Sequence, residues 1–244
     1  LGVPVRWQVP TSSNDFEVNF AGWTNRVGFN DASWSNGLTG VGYDTGTDYD
    51  SLIGAGSDSQ SRNRNINGSV FLRIRFPVTN STLVTAMRYL SKHDDGFVVW
   101  LNGVQVAAEA APANPDWNAL ATANRDENLN NTWNYYPLTN GPALLVPGTN
   151  LLAIQGLNVT LSSSDLLIAP QLEFSYGANP SNFFYLTTPT PGAGNTPGST
   201  NIGPLVSAVT DRPAQPWGTP DSPLLAVTAL VDTTLRPLAA NGVK

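Results

Sequence analysis

The chain has 244 residues, with 12 Lys and Arg against 18 Asp and Glu side chains, a formal net charge of −6 at pH 7, and no cysteine. The missing cysteine excludes disulfides and thiolate metal sites. Nucleic acid is excluded as a partner, because no basic face is visible that would displace its counterions. The 22 Gly and 19 Pro, without long Ala/Leu/Glu/Lys stretches, predict an all-β protein with many turns. No apolar run reaches the ~20 residues that a membrane span needs.

A series of short strands is predicted along the first part of the chain. In order they cover residues 5–9, 70–78, 83–90, 97–101, 104–108, 150–157, 166–169 and 171–176. The pattern is cleanest in 70–78, where alternate residues are apolar and Arg73 and Arg75 point the other way. The spacing predicts an antiparallel sandwich of jelly-roll type. Residues 117–127 are compatible with one short helix.

The segment 92–106 predicts a hairpin. An acidic loop with Asp94, Asp95 and Gly96 leads into an apolar strand, and Asn102-Gly103 supplies the two positive-φ residues of a tight turn before the strand returns. A hairpin with polar residues at its mouth suits binding at a loop rim better than it suits buried catalysis.

The composition changes after Tyr176. Residues 177–203 are rich in Pro, Gly and Thr and are predicted to form a linker. Residues 204–244 contain two strand-like segments, 204–210 and 224–231, which are too few to bury a core alone. They are interpreted as the start of a second β domain or as an arm packed on the first.

Three segments resemble galactose-binding-like jelly-roll domains, which some β-galactosidase-type glycosidases carry as sugar-binding domains. Residues 30–44 are similar to their opening segment, which has the motif F-[DN]-D-x-S-W. Residues 93–106 resemble their Asp-Asp-Gly hairpin, with Trp100 where Tyr is commoner, and residues 149–158 with 162–165 resemble their late core strands.

Together these segments resemble a module repeated in large secreted proteins of Planctomycetes and Verrucomicrobia, where it precedes a linker similar to residues 188–195. The resemblance implies a galactose-binding-like β-sandwich at 1–176, followed by a partial immunoglobulin-like β segment. It also implies a secreted or cell-surface bacterial protein. Such modules serve as carbohydrate-binding units, spacers or adhesion domains, so a glycan and neighbouring domains of the same protein are the expected partners.

A calcium site is predicted from two acidic segments. Asp44, Asp48 and Asp50 surround a glycine together with two threonines, and calcium takes six to eight oxygens from a flexible loop. The alternative is an exposed turn in which Asp44 and Asp48 cap backbone amides. Asp94 and Asp95 are the second pair, able to chelate a cation or to bond sugar hydroxyls. Their alternative is that one satisfies loop amides and the other is solvated.

A sugar site is predicted in the loop 114–136. Aromatic rings stack on the apolar faces of pyranose rings, while Asn, Asp and Arg bond the hydroxyls. The alternative is that the tryptophans pin a long loop to the sandwich. Trp34 and Trp100 are expected in the core. The candidate sugar-binding residues are Trp117, Trp133, Tyr135, Arg125, Asp126 and the single histidine, His93.

Catalysis is not expected. Glu109, Asp126 and Glu127 could form a carboxylate pair for glycoside hydrolysis, and His93 with a tyrosine and Arg125 could act as in a polysaccharide lyase. Neither set lies in a recognisable motif.

The predicted function is a non-catalytic carbohydrate-binding module stabilised by calcium. The alternative is a structural or adhesive spacer without a small ligand, which burial of all seven tryptophans would favour.

Overall fold

The computed structural model of the chain describes residues 2–176 and the backbone of two later strands, with no side chains for 127, 128 and those strands. The chain divides into two units, Leu1–Gly177 and Ala178–Lys244. The predicted linker at 177–203 lies outside the described residues. In the second unit, β11 (Leu205–Arg212) pairs antiparallel with β12 (Ala226–Asp232), at the positions of the two predicted strands.

The first unit consists mainly of strands. They are β1 (Pro4–Gln8), β2 (Ser35–Leu38), β3 (Val41–Asp44), β4 (Ser69–Val78), β5 (Val84–Asp94), β6 (Gly96–Leu101), β7 (Val104–Glu109), β8 (Asn134–Pro137), β9 (Gly148–Leu157) and β10 (Asp165–Tyr176). The helices are short: α1 (Ser13–Asn19), α2 (Gln60–Asn63), α3 (Glu127–Asn130) and α4 (Gly141–Leu144). No helix among the described residues combines the length and the apolar character that crossing a membrane would need.

Two antiparallel sheets pack face to face. One has six strands in the order β2-β1-β4-β9-β6-β7, and the other has four in the order β3-β10-β5-β8. The core between them takes apolar side chains from both sheets, including Leu72 and Ile154 of the first and Tyr89 and Ile168 of the second. The predicted fold class, an all-β antiparallel sandwich of jelly-roll type, is confirmed.

A second apolar layer covers the outer face of the six-stranded sheet. Ser12 is the N-cap of the helix α1, and its hydroxyl accepts a hydrogen bond from the Asp15 amide at 3.1 Å. The helix contributes Phe16 to this apolar layer. The buried residues of the layer are Phe20, Trp23, Trp34, Phe71, Leu151 and Ala153, and Phe16, Phe29 and Trp100 pack against them. The expected burial of Trp34 is confirmed, and Trp100 is partly buried.

An ion pair is buried in this layer. The Arg73 side chain, which the alternation of β4 directs away from the main core, is fully buried, and its Nε lies 2.8 Å from Asp31 Oδ2. The exposed Arg75 contacts the same oxygen at 2.8 Å. Burial raises the pKa of Asp31, but the hydrogen bonds from both arginines outweigh it and hold that pKa below its ordinary value.

One predicted element was wrong, and two predicted strands are continuous. Residues 117–126 form no helix, because their amides bond to other segments, for example Ala121 to the Asn158 carbonyl at 2.9 Å. The strands predicted at 166–169 and 171–176 are one strand, β10, which continues through Pro170. The neighbouring β3 pairs only with 165–168, so Pro170 lies where one side of the strand is an edge and a missing N–H is tolerated.

Candidate functional site

The strand β8 places one aromatic side chain, Tyr135, on the outer face of the four-stranded sheet. It pairs with β5 so that Tyr135 lies opposite Leu90 and Tyr136 opposite Tyr89. The Tyr136 ring points inward and packs 5.1 Å from the Phe97 ring centroid. Since neighbouring strand residues face opposite sides, Tyr135 points outward, and 56% of it is exposed.

A cation lies beside each aromatic ring on this face. Lys92 Nζ is 5.5 Å from the ring centroid of the half-buried Trp133. The Arg88 guanidinium is 5.0 Å from the Tyr135 ring centroid. Cations at such distances over an aromatic face are attracted to it. Both cations come from β5, so they and the rings share one side of the sheet.

Polar partners hold these cations in place. Lys92 donates a hydrogen bond to Asn131 at 2.9 Å, and Arg88 donates to Glu173 of β10 at 2.5 Å. We call this set the aromatic surface. It consists of Arg88, Lys92, Asn131, Trp133, Tyr135 and Glu173. The aromatic surface combines apolar ring faces with exposed donors and acceptors.

A charged cluster lies where edge strands of the two sheets meet. Glu109 of β7 accepts hydrogen bonds from Arg125 and from the Tyr136 hydroxyl of β8. His93 is fully buried, with Nε2 at 3.6 Å from Glu109 Oε1, which is too long for a hydrogen bond. Among the described residues, both ring nitrogens of His93 and two guanidinium nitrogens of Arg125 have no hydrogen-bond partner.

The surroundings of Glu109 favour its ionised form. The pKa of Glu109 is lowered to about 2 by the neighbouring His93 imidazole, the Tyr136 hydroxyl and the Arg125 guanidinium, against the effect of burial. Burial lowers the pKa of His93, and burial together with Glu109 raises the pKa of Tyr136. Glu109 therefore serves as the anion that accepts hydrogen bonds from Arg125 and Tyr136 and joins the two sheets.

Replacing Glu109 with glutamine should destabilise the fold by about 1.5 to 3 kcal/mol, because the buried Arg125 loses a charged acceptor. Glu173→Gln breaks an exposed pair with Arg88 and should cost less than about 1 kcal/mol. The difference in unfolding free energy between the two variants should be fully present above about pH 4, where an unfolded Glu is ionised. It should shrink as the pH falls towards about 2, because Glu109 of the folded wild type then takes up a proton. Urea unfolding at several pH values measures it; equal costs for the two variants would contradict a linking role.

The predicted sugar residues do not form one site. Trp133 and Tyr135 lie together on the aromatic surface, whereas His93 and Arg125 are in the charged cluster, 0% and 8% exposed. Asp126 is exposed just before α3.

The half-buried Trp117 lies in a loop that is anchored to the six-stranded sheet. The carbonyl of the preceding Asp116 accepts from Gln155 at 2.8 Å, and Ala119 accepts from Ser69 at 2.8 Å. The predicted role of pinning this loop fits the surroundings of Trp117 better than it fits those of Trp133.

The predicted calcium ligands of the first acidic loop are spread out. Asp44 Oδ1 accepts from the Gly46 amide at 2.6 Å and Oδ2 accepts from the Tyr49 amide at 3.0 Å, which is the capping role of the alternative interpretation. Asp48 and Asp50 are exposed.

The second acidic pair is buried. Asp95 Oδ1 accepts from the Arg125 amide and Oδ2 from the Val159 amide, both at 2.8 Å. Asp94 is 3% exposed rather than solvated. Burial raises the pKa of Asp94, and so does contact with the Asp165 carboxyl. Among the side chains described within residues 2–176, which leave out 127 and 128, no group of three or more His, Cys, Asp or Glu is placed to hold a metal ion.

Sequence reasoning missed Arg88, Lys92 and Asn131 as members of a surface. A signal was present, because Trp133, Tyr135 and Tyr136 form a short run with high strand propensity. If β8 is assigned from this run and paired with β5, alternation puts Arg88 and Lys92 on the same face.

No protein-family model matches the chain, and no curated protein matches it. Among solved structures, a β-glucuronidase of glycoside hydrolase family 2 is similar at 13% identity and a TM-score of 0.37, covering 64% of this chain and 13% of that one. A Ruminococcus gnavus β-glucuronidase is similar at 11% identity and a TM-score of 0.38, covering 65% and 21%. A Bacteroides uniformis β-glucuronidase is similar at 10% identity and a TM-score of 0.39, covering 69% and 17%. The chain thus spans between 13% and 21% of the length of these proteins.

Proposed function

We propose that the first unit is a non-catalytic carbohydrate-binding module of a secreted or cell-surface bacterial protein, and that the aromatic surface is its sugar site. One observation carries this proposal: Trp133 and Tyr135 share an outward face of a sheet, each beside a cation from β5. An exposed tyrosine is not unusual alone. Two rings on one face of a sheet, with donors and acceptors beside them, match what a sugar ring and its hydroxyls require.

The charged cluster supports a non-catalytic role. It contains the His, Tyr, Arg and Glu that an enzyme would need, but His93 is fully buried and Glu109 is engaged by Arg125 and Tyr136. A general acid or base must reach the proton that it transfers. The hydrogen bonds of the cluster are better suited to linking β7 to β8.

A stabilising calcium ion is part of the same proposal. In the two predicted acidic segments, Asp44 and Asp95 already use both carboxylate oxygens on backbone amides. Asp94 differs, because it lies beside the partly buried carboxyl of Asp165 and beside the Asn130 carboxamide, whose oxygen has no partner among the described residues. Those oxygens are the hard donors that calcium takes.

The spacer function is the second candidate, and it also has support. Trp7, Trp23 and Trp34 are at most 7% exposed, so these tryptophans belong to the fold and not to a ligand site. A spacer needs no ordered cation–ring pairs at its surface, which is why the aromatic surface favours the first candidate.

Trp133→Ala should weaken glycan binding about tenfold or more, since a stacked ring contributes on the order of 1 kcal/mol beyond its buried area. The melting temperature should change little, because Trp133 is half-buried and lies outside the apolar core clusters. A glycan array with the full chain identifies the ligand, and calorimetry then compares the variants.

Trp117→Ala is the matched control and should leave the affinity unchanged. Loss of binding in the Trp117 variant, with normal binding in the Trp133 variant, would move the site to the other loop. If no glycan on the array binds the full chain, the spacer function replaces the proposal.

A further inference from the structure

Two carboxyl groups meet at the end of β5. Asp94 ends β5 and is 3% exposed, and the adjacent strand β10 begins at the partly buried Asp165. The two side chains are in hydrogen-bonding contact. Two carboxylates this close in a buried place repel each other unless a proton or a cation lies between them.

One buried asparagine contacts the Asp94 carboxyl, a second contacts the main chain of Asp165, and each has a side-chain oxygen without a partner. Asn130 is 0% exposed and donates to Asp94 Oδ1 at 3.0 Å and to the Tyr49 hydroxyl at 2.8 Å. Asn158 is 2% exposed and donates to the Asp165 carbonyl at 2.7 Å. The Oδ1 atoms of both asparagines have no hydrogen-bond partner among the described residues. Buried acceptors without donors are rare and unfavourable.

The geometry around Asn130 suits a cation ligand. The oxygen and nitrogen of a carboxamide are nearly isosteric, so a half-turn of the amide puts Oδ1 where Nδ2 lies. The oxygen is then 3.0 Å from Asp94 Oδ1 and 2.8 Å from the Tyr49 hydroxyl. Neighbouring oxygens have such a spacing when each lies about 2.3 to 2.6 Å from a shared calcium ion.

We propose that one calcium ion binds between Asp94 and Asp165, with the amide oxygen of Asn130 as a further ligand. Calcium fits because all the donors are oxygens on flexible side chains, whereas zinc favours nitrogen and sulfur. The ion balances the two carboxylates. The inference deepens the proposed calcium stabilisation by moving the ion away from Asp44–Asp50, and it does not depend on sugar binding.

The site also connects to the aromatic surface through the chain. Asn130 ends α3, and Asn131 and Trp133 follow directly before β8. A cation held by Asn130 would therefore fix the segment that carries one ring of the aromatic surface. Calcium removal should loosen that segment.

The test is calcium binding by the full chain after treatment with EDTA, followed by calorimetry and thermal unfolding. We expect one calcium per chain and a melting temperature that rises with calcium concentration, because a ligand that binds only the folded state stabilises it. Asp165→Asn should weaken calcium binding at least tenfold. The matched control, Asp48→Asn combined with Asp50→Asn, should bind calcium like the wild type.

Three outcomes would overturn the inference. Wild-type protein that neither binds calcium nor gains stability would show that Asp94 and Asp165 share a proton instead; this result needs no variant to fold. Retained affinity in Asp165→Asn would remove the ion from this pair. Loss of affinity in the Asp48 and Asp50 control would return it to the surface loop. Glycan binding is measured separately, so a negative calcium result leaves the sugar proposal standing.

Discussion

Replacing Asp31 with alanine should destabilise the fold by about 3 to 5 kcal/mol, because it leaves a buried guanidinium without its counter-charge. Arg73 is fully buried, and its Nε donates to Asp31 at 2.8 Å. Its other nitrogens bond to the carbonyls of Trp23 and Asn25, so the charge cannot turn towards water. Urea unfolding followed by tryptophan fluorescence measures the loss.

Arg75→Gln is the matched control for this prediction. Arg75 contacts the same carboxylate at 2.8 Å, but 42% of its side chain is exposed. Its removal should cost less than about 1 kcal/mol, as for other exposed ion pairs. Similar costs for Asp31→Ala and Arg75→Gln would mean that the buried pair does not hold the outer layer.

Trp34→Ala should cost about 3 to 5 kcal/mol, the usual loss when a buried aromatic side chain is truncated. Trp34 is 3% exposed, and its ring lies 5.0 Å from the Phe20 ring and 5.6 Å from the Phe29 ring. The cavity left behind would open the layer on the outer face of the six-stranded sheet. Thermal and urea unfolding provide the measurement.

Trp133→Ala, which removes the same side chain from the aromatic surface, should change stability by no more than about 1 kcal/mol, the size of an exposed cation–ring contact. The contrast between the two variants separates tryptophans that support the fold from a tryptophan available to a ligand. A large loss of stability in Trp133→Ala would make that residue an anchor and would remove the basis of the proposed sugar site.

The sandwich could be predicted from the sequence because its signals are local. The alternation in β4 has the period of a strand, and Asn102 and Gly103 adopt the positive φ angles of 50° and 94° that their residue types favour in a hairpin turn. The outer layer could not be predicted in this way. Residues 13–34 have no strand period, and the burial of Arg73 depends on Asp31, which is 42 positions away.

The candidate site was predictable only in part. The aromatic residues Trp133 and Tyr135 were identified by composition, but the face that they occupy depends on the register between β5 and β8. Asp94 and Asp95 look equivalent in the sequence. In the structure Asp95 satisfies two amides while Asp94 meets Asp165 across a strand pair. Which neighbour each carboxyl meets is decided by strand pairing over long sequence separations.

The location of the sugar site is tested most directly by nuclear magnetic resonance of the indole N–H groups. The chain has seven tryptophans, and in the ¹⁵N-labelled full chain each contributes one indole signal that can be assigned by substitution. On titration with the glycan selected by the array, we expect the Trp133 signal to shift first and furthest, while the signals of Trp7, Trp23 and Trp34 stay in place. A shift centred on Trp117, with an unchanged Trp133 signal, would contradict the account.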